Sequence, residues 1–171
     1  MKKKLYPLLF AALLIGCSKP TQKGLVYFND FESIKGWTDI LLEKKPVHSG
    51  IYSNRLDSVH VYGENLKLTF REIAPAILKK VKISVWVFIP DASIKGKLVM
   101  EINQPDKKNV FWIGKDLTDH VHKYGEWVEV VQEFTLVKKA LLLPENSIKI
   151  FVWNLSKKQM YIDDMRVEFV M

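Results

Sequence analysis

The chain has 171 residues, one cysteine and a formal net charge of +7, with 48% apolar and 26% charged residues. That length suits one well-buried domain, and those fractions lie near globular averages, which excludes global disorder, collagen and coiled-coil rods. A lone cysteine excludes an intrachain disulfide framework, and the single long apolar run, at the extreme N-terminus, excludes a polytopic membrane protein.

Met1, Lys2, Lys3 and Lys4 form a basic start, followed by an apolar stretch over 5–15 that is interrupted only by Tyr6 and Pro7. The run is short for a bilayer span and its flanks are those of an export signal. Leu14-Ile15-Gly16-Cys17 resembles the bacterial lipobox. The resemblance implies cleavage before Cys17 and acylation of its sulfur and its new amine; an uncleaved anchor or an inert cysteine is the other reading. The expected organisation is a lipoprotein signal peptide over 1–16, a lipidated tether over 17–24, polar and carrying Pro20, and one domain over 25–171. Loss of Lys2, Lys3 and Lys4 lowers the net charge from +7 to +4, so much of the basicity belongs to the signal and no nucleic-acid partner is expected. Each buried methylene of an acyl chain contributes about 0.8 kcal/mol, so several chains anchor a protein stably without a membrane-spanning helix. Ser18 after the cysteine, and the absence of an acidic run over 18–23, point to the outer membrane of a bacterial envelope, with the periplasmic or surface side left open.

Strand signals then follow one another. The stretch 25–31 (LVYFNDF) is the first candidate; 36–42 contains Trp37 but no clear period, and 51–61 alternates weakly. Leu66, Leu68 and Phe70 alternate with Lys67, Thr69 and Arg71, the period of a half-buried strand. The strongest strand is 81–89 (VKISVWVFI), closed by Pro90; 97–103, 109–114, 127–137, 147–155 and 160–170 complete the series. Turns rich in Gly, Pro, Asn, Asp and Lys separate them. The stretch 74–80 (APAILKK) allows one helical turn, limited by Pro75. About eight or more short strands without a long helical stripe predict an all-β sandwich or barrel.

The segments YFNDFES, HSGIYS, VKISVWVF, LVMEI, EWVEVVQEFTL, IKIFVWN and YIDDMRVEF resemble, in order and spacing, the carbohydrate-binding-module jelly roll of the galactose-binding-like superfamily, over about 25–170. The resemblance implies a mostly antiparallel jelly-roll β-sandwich. It also implies a structural calcium where the first strand, the loop after it and the last strand meet. Glu32, Gly50, Asn54 and Asp163 or Asp164 match its ligand positions, with Asp30 as a further oxygen donor. Calcium takes six to eight hard oxygens, which two carboxylates plus carbonyls can supply. Asp163 shares its parity with Tyr161, Met165, Val167 and Phe169, and a carboxylate on a core-facing phase must be paired or liganded, so Asp163 is the preferred ligand. The alternative is that these acids cap turns or face solvent.

Sugars are held by aromatic rings under their C–H faces and by polar groups at their hydroxyls. Trp86 and Phe88 oppose a Val/Ile face over 81–89, and Phe151 and Trp153 oppose Ile148, Ile150 and Val152. Trp86, Trp112 and Trp153 are therefore either a ligand surface or covered by loops, and Trp37 and Trp127 are read as structural. Asn154, Asn103, Gln104 and Glu101 are the candidate hydroxyl readers. His120 and His122 form an HxH pair without a local third metal ligand, most simply a polar loop. No GxSxG elbow is present, and Cys17 is consumed by lipid.

These features lead to a noncatalytic, lipid-anchored envelope protein that binds a carbohydrate or glycoconjugate. A structural or assembly lipoprotein with an envelope protein partner is the alternative, and a small polysaccharide-active enzyme the second. Replacing Cys17 with serine is expected to abolish palmitate labelling and detergent partitioning; unchanged labelling of that variant would refute the lipobox.

Overall fold

The computed structural model describes residues 24–32, 41–73, 78–106, 108–136 and 141–170. The signal, Cys17 and Trp37 lie outside them. Among the described residues ten strands, β1 (Leu25–Asn29), β2 (Leu41–Glu43), β3 (Ser53–Leu56), β4 (Leu66–Thr69), β5 (Lys80–Phe88), β6 (Gly96–Asn103), β7 (Asn109–Asp116), β8 (Trp127–Thr135), β9 (Ser147–Asn154) and β10 (Met160–Val170), make two sheets. One runs β2-β3-β10-β5-β8, with β1 paired to the later part of β10; the other runs β4-β9-β6-β7. Every strand pair is antiparallel. The architecture is the expected jelly-roll β-sandwich.

Alternation builds the core. Val81, Ile83, Val85 and Val87 of β5 are fully buried, as are Leu98, Met100 and Ile102 of β6 and Ile148, Ile150 and Val152 of β9. All ten belong to one apolar cluster between the sheets. Burial of a Val, Leu or Ile side chain contributes about 1.5–3 kcal/mol, so these three strands hold the layers together. Lys115 of β7 ties an open edge, where its Nζ donates to the Glu133 carbonyl of β8 at 2.8 Å.

Three local features depart from the sequence reading. Strand β2 falls where no period was legible, and it is a three-residue edge strand paired only with β3. The strand expected to continue to Phe70 stops at Thr69. A single helical turn α1 (Phe70–Ile73) follows, earlier than the one expected over 74–80, of which 74–77 lie outside the described residues. Thr69 and Glu72 make a reciprocal capping box: the Glu72 amide donates to Thr69 Oγ1 at 3.3 Å, and the Thr69 amide donates to Glu72 Oε2 at 2.7 Å. The turn drives Phe70 and Ile73 inward, both buried.

The third departure is in β10. Its register against β5 shifts between Asp163 and Arg166, and Asp164 takes a left-handed φ of 46°, which aspartate tolerates better than most residues. The extra residue changes the phase of the strand. Met160 and Ile162 face the core before the bulge, and Met165, Val167 and Phe169 face it afterwards. Asp163 pairs across the sheet with Trp86, on the outer phase. Asp163 is buried as expected, but not by parity: a loop covers it.

Thr69→Ala removes one arm of the capping box and is expected to lower the unfolding free energy by about 1 kcal/mol, read as a lower urea midpoint at unchanged slope.

Candidate functional site

The loop 48–52 crosses the outer face of the six-stranded sheet and is held by three carboxylates. Asp163, fully buried, accepts the His48 and Ser49 amides on Oδ2 at 2.9 and 3.3 Å, and the Asp164 amide on Oδ1 at 2.8 Å. Glu32 Oε1 accepts the Ile51 and Tyr52 amides at 2.7 and 3.0 Å. Gly50 between them has φ of 63°, and a Cβ there would stand 2.2 Å from Glu32 Oε1, so glycine is required twice over. Asp164 binds the loop from its other side, with Oδ2 2.6 Å from His48 Nδ1 and Oδ1 accepting the Ser49 hydroxyl at 3.0 Å. Desolvation pushes the Asp163 carboxyl above the usual carboxylate range; its three N–H donors pull it down and the Asp164 carboxylate raises it further.

Of the five residues expected to hold calcium, Glu32, Gly50, Asp163 and Asp164 converge on this loop. Asn54 does not: its Nδ2 donates to the Leu41 carbonyl and its Oδ1 accepts the Glu64 amide. The carboxylate oxygens that do converge are mostly taken by protein N–H groups. Among the described residues no group of three or more His, Cys, Asp or Glu stands where it could hold a metal ion, so the side chains as arranged do not by themselves fit the ion. The corner works as a hydrogen-bonded clasp.

The clasp decides the role of Trp86. The His48 ring stacks on it at 3.8 Å between centroids and 15° between planes. Trp127 meets His48 and Phe88 edge-on, and Phe88 meets Tyr161 in the same way. This aromatic cluster is packing between sheet and loop, with a shallow hollow beside it lined by Trp86, Trp127, His120 and His122. His120 contacts the buried Gln132 amide and is not brought to a metal geometry with His122.

The outer face of the four-stranded sheet is different. Directly opposed residues on antiparallel strands point the same way, and the registers place Tyr62 against Trp153 and Trp153 against Lys97; Phe151 against Val99; and Lys149 against Glu101, itself against Trp112. Tyr62 lies edge-on to Phe151 at 5.6 Å and tilted beside Trp153 at 6.0 Å. Tyr62 is 57% exposed and Trp112 46%. Trp112 folds back along its own strand: a Cβ on Gly114 would stand 2.6 Å from its Cη2. The glycine is the floor on which that ring rests. Around these rings lie Glu101, whose Oε1 accepts from Asn103 Nδ2 at 3.1 Å, and Lys97, bound to Asp116 at 2.9 Å. A groove of about 480 Å³ continues the face over Asn65, Lys67, Glu101, Asn103, Gln104 and Lys149.

Three of the five expected ligand residues, Trp112, Trp153 and Glu101, thus share one face. Trp86 is on the opposite sheet under His48. Asn154 is a correction: it is fully buried on the core phase of β9, and its Nδ2 donates to the Lys158 carbonyl at 2.6 Å, so it fixes the β9–β10 turn and cannot reach a ligand. Tyr62 and Gly114 were missed. Tyr62 follows a stretch that alternates only weakly, but an isolated glycine within a strand signals close approach of another group.

Comparison with protein-family models and with curated proteins returns no match. Solved structures do match. The C-terminal family 22 carbohydrate-binding module of Clostridium thermocellum Xyn10B has a TM-score of 0.58 at 17% identity, over 84% of this chain and 92% of that one. The CBM22-2 xylan-binding domain of Paenibacillus barcinonensis Xyn10C has a TM-score of 0.58 at 13% identity, over 84% and 99%. Its CBM22-1 xylan-binding domain gives 0.54 at 12%, over 87% and 97%. These likenesses show the fold. The chain shares the β-sandwich of these three modules over nearly the whole length of each.

The clasp yields a pH dependence. A carboxyl whose folded-state pKa is raised contributes stability that is present below its unfolded pKa, near 3.9, and is lost as pH rises through the folded value. Asp163→Asn cannot ionise, but it points an amide donor at backbone N–H groups, and leaving such donors unpaired costs about 1–3 kcal/mol. The variant is expected to have a lower urea midpoint than the parent, with the gap narrowing as pH rises from about 4 upward. A gap that widens with pH would show that Asp163 is stabilised as the anion.

Proposed function

We propose that this protein is a noncatalytic glycan-binding module, held at a bacterial envelope by lipid on Cys17, and that the sugar lies across the outer face of the four-stranded sheet. The observation that carries the reading is that Tyr62, Trp153 and Trp112 share that face, Tyr62 and Trp153 side by side, with Glu101, Asn103 and the lysines on it too. The exposed Tyr62 and Trp112 and the half-buried Trp153, rings with few rotatable bonds, offer flat apolar area to a pyranose at little entropic cost, and the amides and carboxylate around them take its hydroxyls. The xylan-binding domains that share the fold support a glycan as the ligand class. The chemistry on offer is stacking and hydrogen bonding, and Glu101 is tied to Asn103. Envelope anchoring, with the outer membrane as its address, rests on the Leu14-Ile15-Gly16-Cys17 signal alone.

Calcium is a separate proposal for the clasp. An ion bound there would add carbonyl oxygens to Glu32 and Asp163, and its signature is a melting temperature that falls on chelation. Calcium at 100 times its Kd would contribute about 2.7 kcal/mol; identical melting with chelator and with calcium would remove it.

Two tryptophans separate platform from packing. Trp153→Ala is expected to weaken binding of xylohexaose, or of the best ligand on a glycan array, at least tenfold, about 1.4 kcal/mol, with little change in urea midpoint. Gly114→Val, which lifts Trp112 off its floor, is expected to act in the same direction. Trp86→Ala is expected to leave affinity unchanged and to lower stability by about 3 kcal/mol, the scale of a large-to-small change in a packed site. Loss of binding with Trp86→Ala but not Trp153→Ala would put the ligand on the other sheet.

A further inference from the structure

We infer that the sugar chain read by this face is acidic, and that Lys67 and Lys149 together receive its anionic group. The inference rests on the glycan reading above and adds the ligand's charge class.

Lys67 of β4 and Lys149 of β9 are direct cross-strand partners. Like charges placed directly opposite each other on a sheet are destabilising. Nothing in the core requires either lysine, because both occupy the outer phase, between the inward Leu66 and Leu68 and between Ile148 and Ile150. Neither ammonium has an ion-pair partner among the described residues, whereas Lys97, the other cation of the platform, is held by Asp116. Lys149 instead extends its Nζ over the Phe151 ring at 4.8 Å, which turns the charge toward the aromatic row. Both lysines line the 480 Å³ groove.

Among the described residues, the acids nearby share the groove without forming an ion pair with either ammonium. Glu101 faces Lys149 across the strands but takes its hydrogen bond from Asn103 Nδ2. Glu145 is exposed on the groove's rim. Glu64 is raised above the usual carboxylate range by desolvation, with Lys149 among the groups that lower it. A ligand carboxylate or sulfate set between Lys67 and Lys149 would relieve their repulsion and make two charge-assisted hydrogen bonds. Asn65, Asn103 and Glu101 remain for hydroxyls, and the rings of Trp153 and Tyr62 for the next sugar along.

The test is calorimetry on the purified protein with hexagalacturonate, a sulfated oligosaccharide, neutral xylohexaose and polyglutamate, at low salt and at 0.3 M NaCl. One of the acidic sugars is expected to bind about tenfold or more tightly than xylohexaose, and to lose several-fold in affinity as salt shortens the screening length. A carboxylate and a sulfate source both satisfy the inference, and the two arms tell them apart. Lys67→Gln with Lys149→Gln is expected to erase that preference and the salt dependence, bringing the acidic sugars to the affinity of xylohexaose, and to leave the urea midpoint unchanged or raised. Equal, salt-independent binding of xylohexaose and the acidic sugars would overturn the inference while the glycan reading stands. Polyglutamate bound as tightly as the acidic sugars would overturn it as plain charge attraction. Binding of none of these sugars would overturn the inference together with the reading beneath it.

Discussion

A carboxylate with no access to water organises this molecule. Asp163 is fully buried, and an unsatisfied charge in that position would cost several kcal/mol. It is satisfied by bringing the loop 48–52 down onto the sheet, where the loop's own amides become its partners. Glu32 repeats the device from the end of the first strand, and the two acids between them take four amides of one five-residue loop. The bulge in β10 is part of the same arrangement, since it turns Asp163 to the outer phase and puts Asp164 in the left-handed conformation from which it reaches His48 and Ser49.

That constraint distributes the aromatic residues between two uses. With the loop in place, the outer face of the six-stranded sheet near Trp86 is stacked against His48, and its rings contribute to holding the loop. Among the described residues no loop covers Tyr62 and Trp112 of the four-stranded sheet's outer face in that way, and both keep about half of their surface. A tryptophan on the outer phase of a strand has the same sequence signature in both cases. What separates them is which loop crosses which sheet.

The sandwich was legible because its signal is local: alternation over 81–89, 147–155 and 160–170 needs only the side chains of one strand. Burial of Asp163 was also anticipated, but through a parity that the bulge breaks, and no period shows where a strand will take an extra residue. Trp153 was found because it opposes an apolar phase in its own strand, and Trp112 and Glu101 by residue type, as an aromatic ring and a hydroxyl acceptor. Their meeting depends on the order β4-β9-β6-β7, which is nonlocal. Asn154 looked like a hydroxyl reader through its neighbour Trp153, although alternation puts it with Ile150 and Val152 on the core side. Tyr62 had no legible strand to belong to, since it joins the sheet through one isolated bridge to Trp153.

Backbone amide chemical-shift mapping during an oligosaccharide titration reads the division of labour between the two sheets directly. The perturbed amides are expected in β6, β7 and β9 and beside Tyr62, while those of His48, Ser49, Ile51 and Tyr52 keep their shifts because their carboxylate partners do not move. Perturbation centred on the loop 48–52 and Trp86, with β6 and β9 silent, would contradict it.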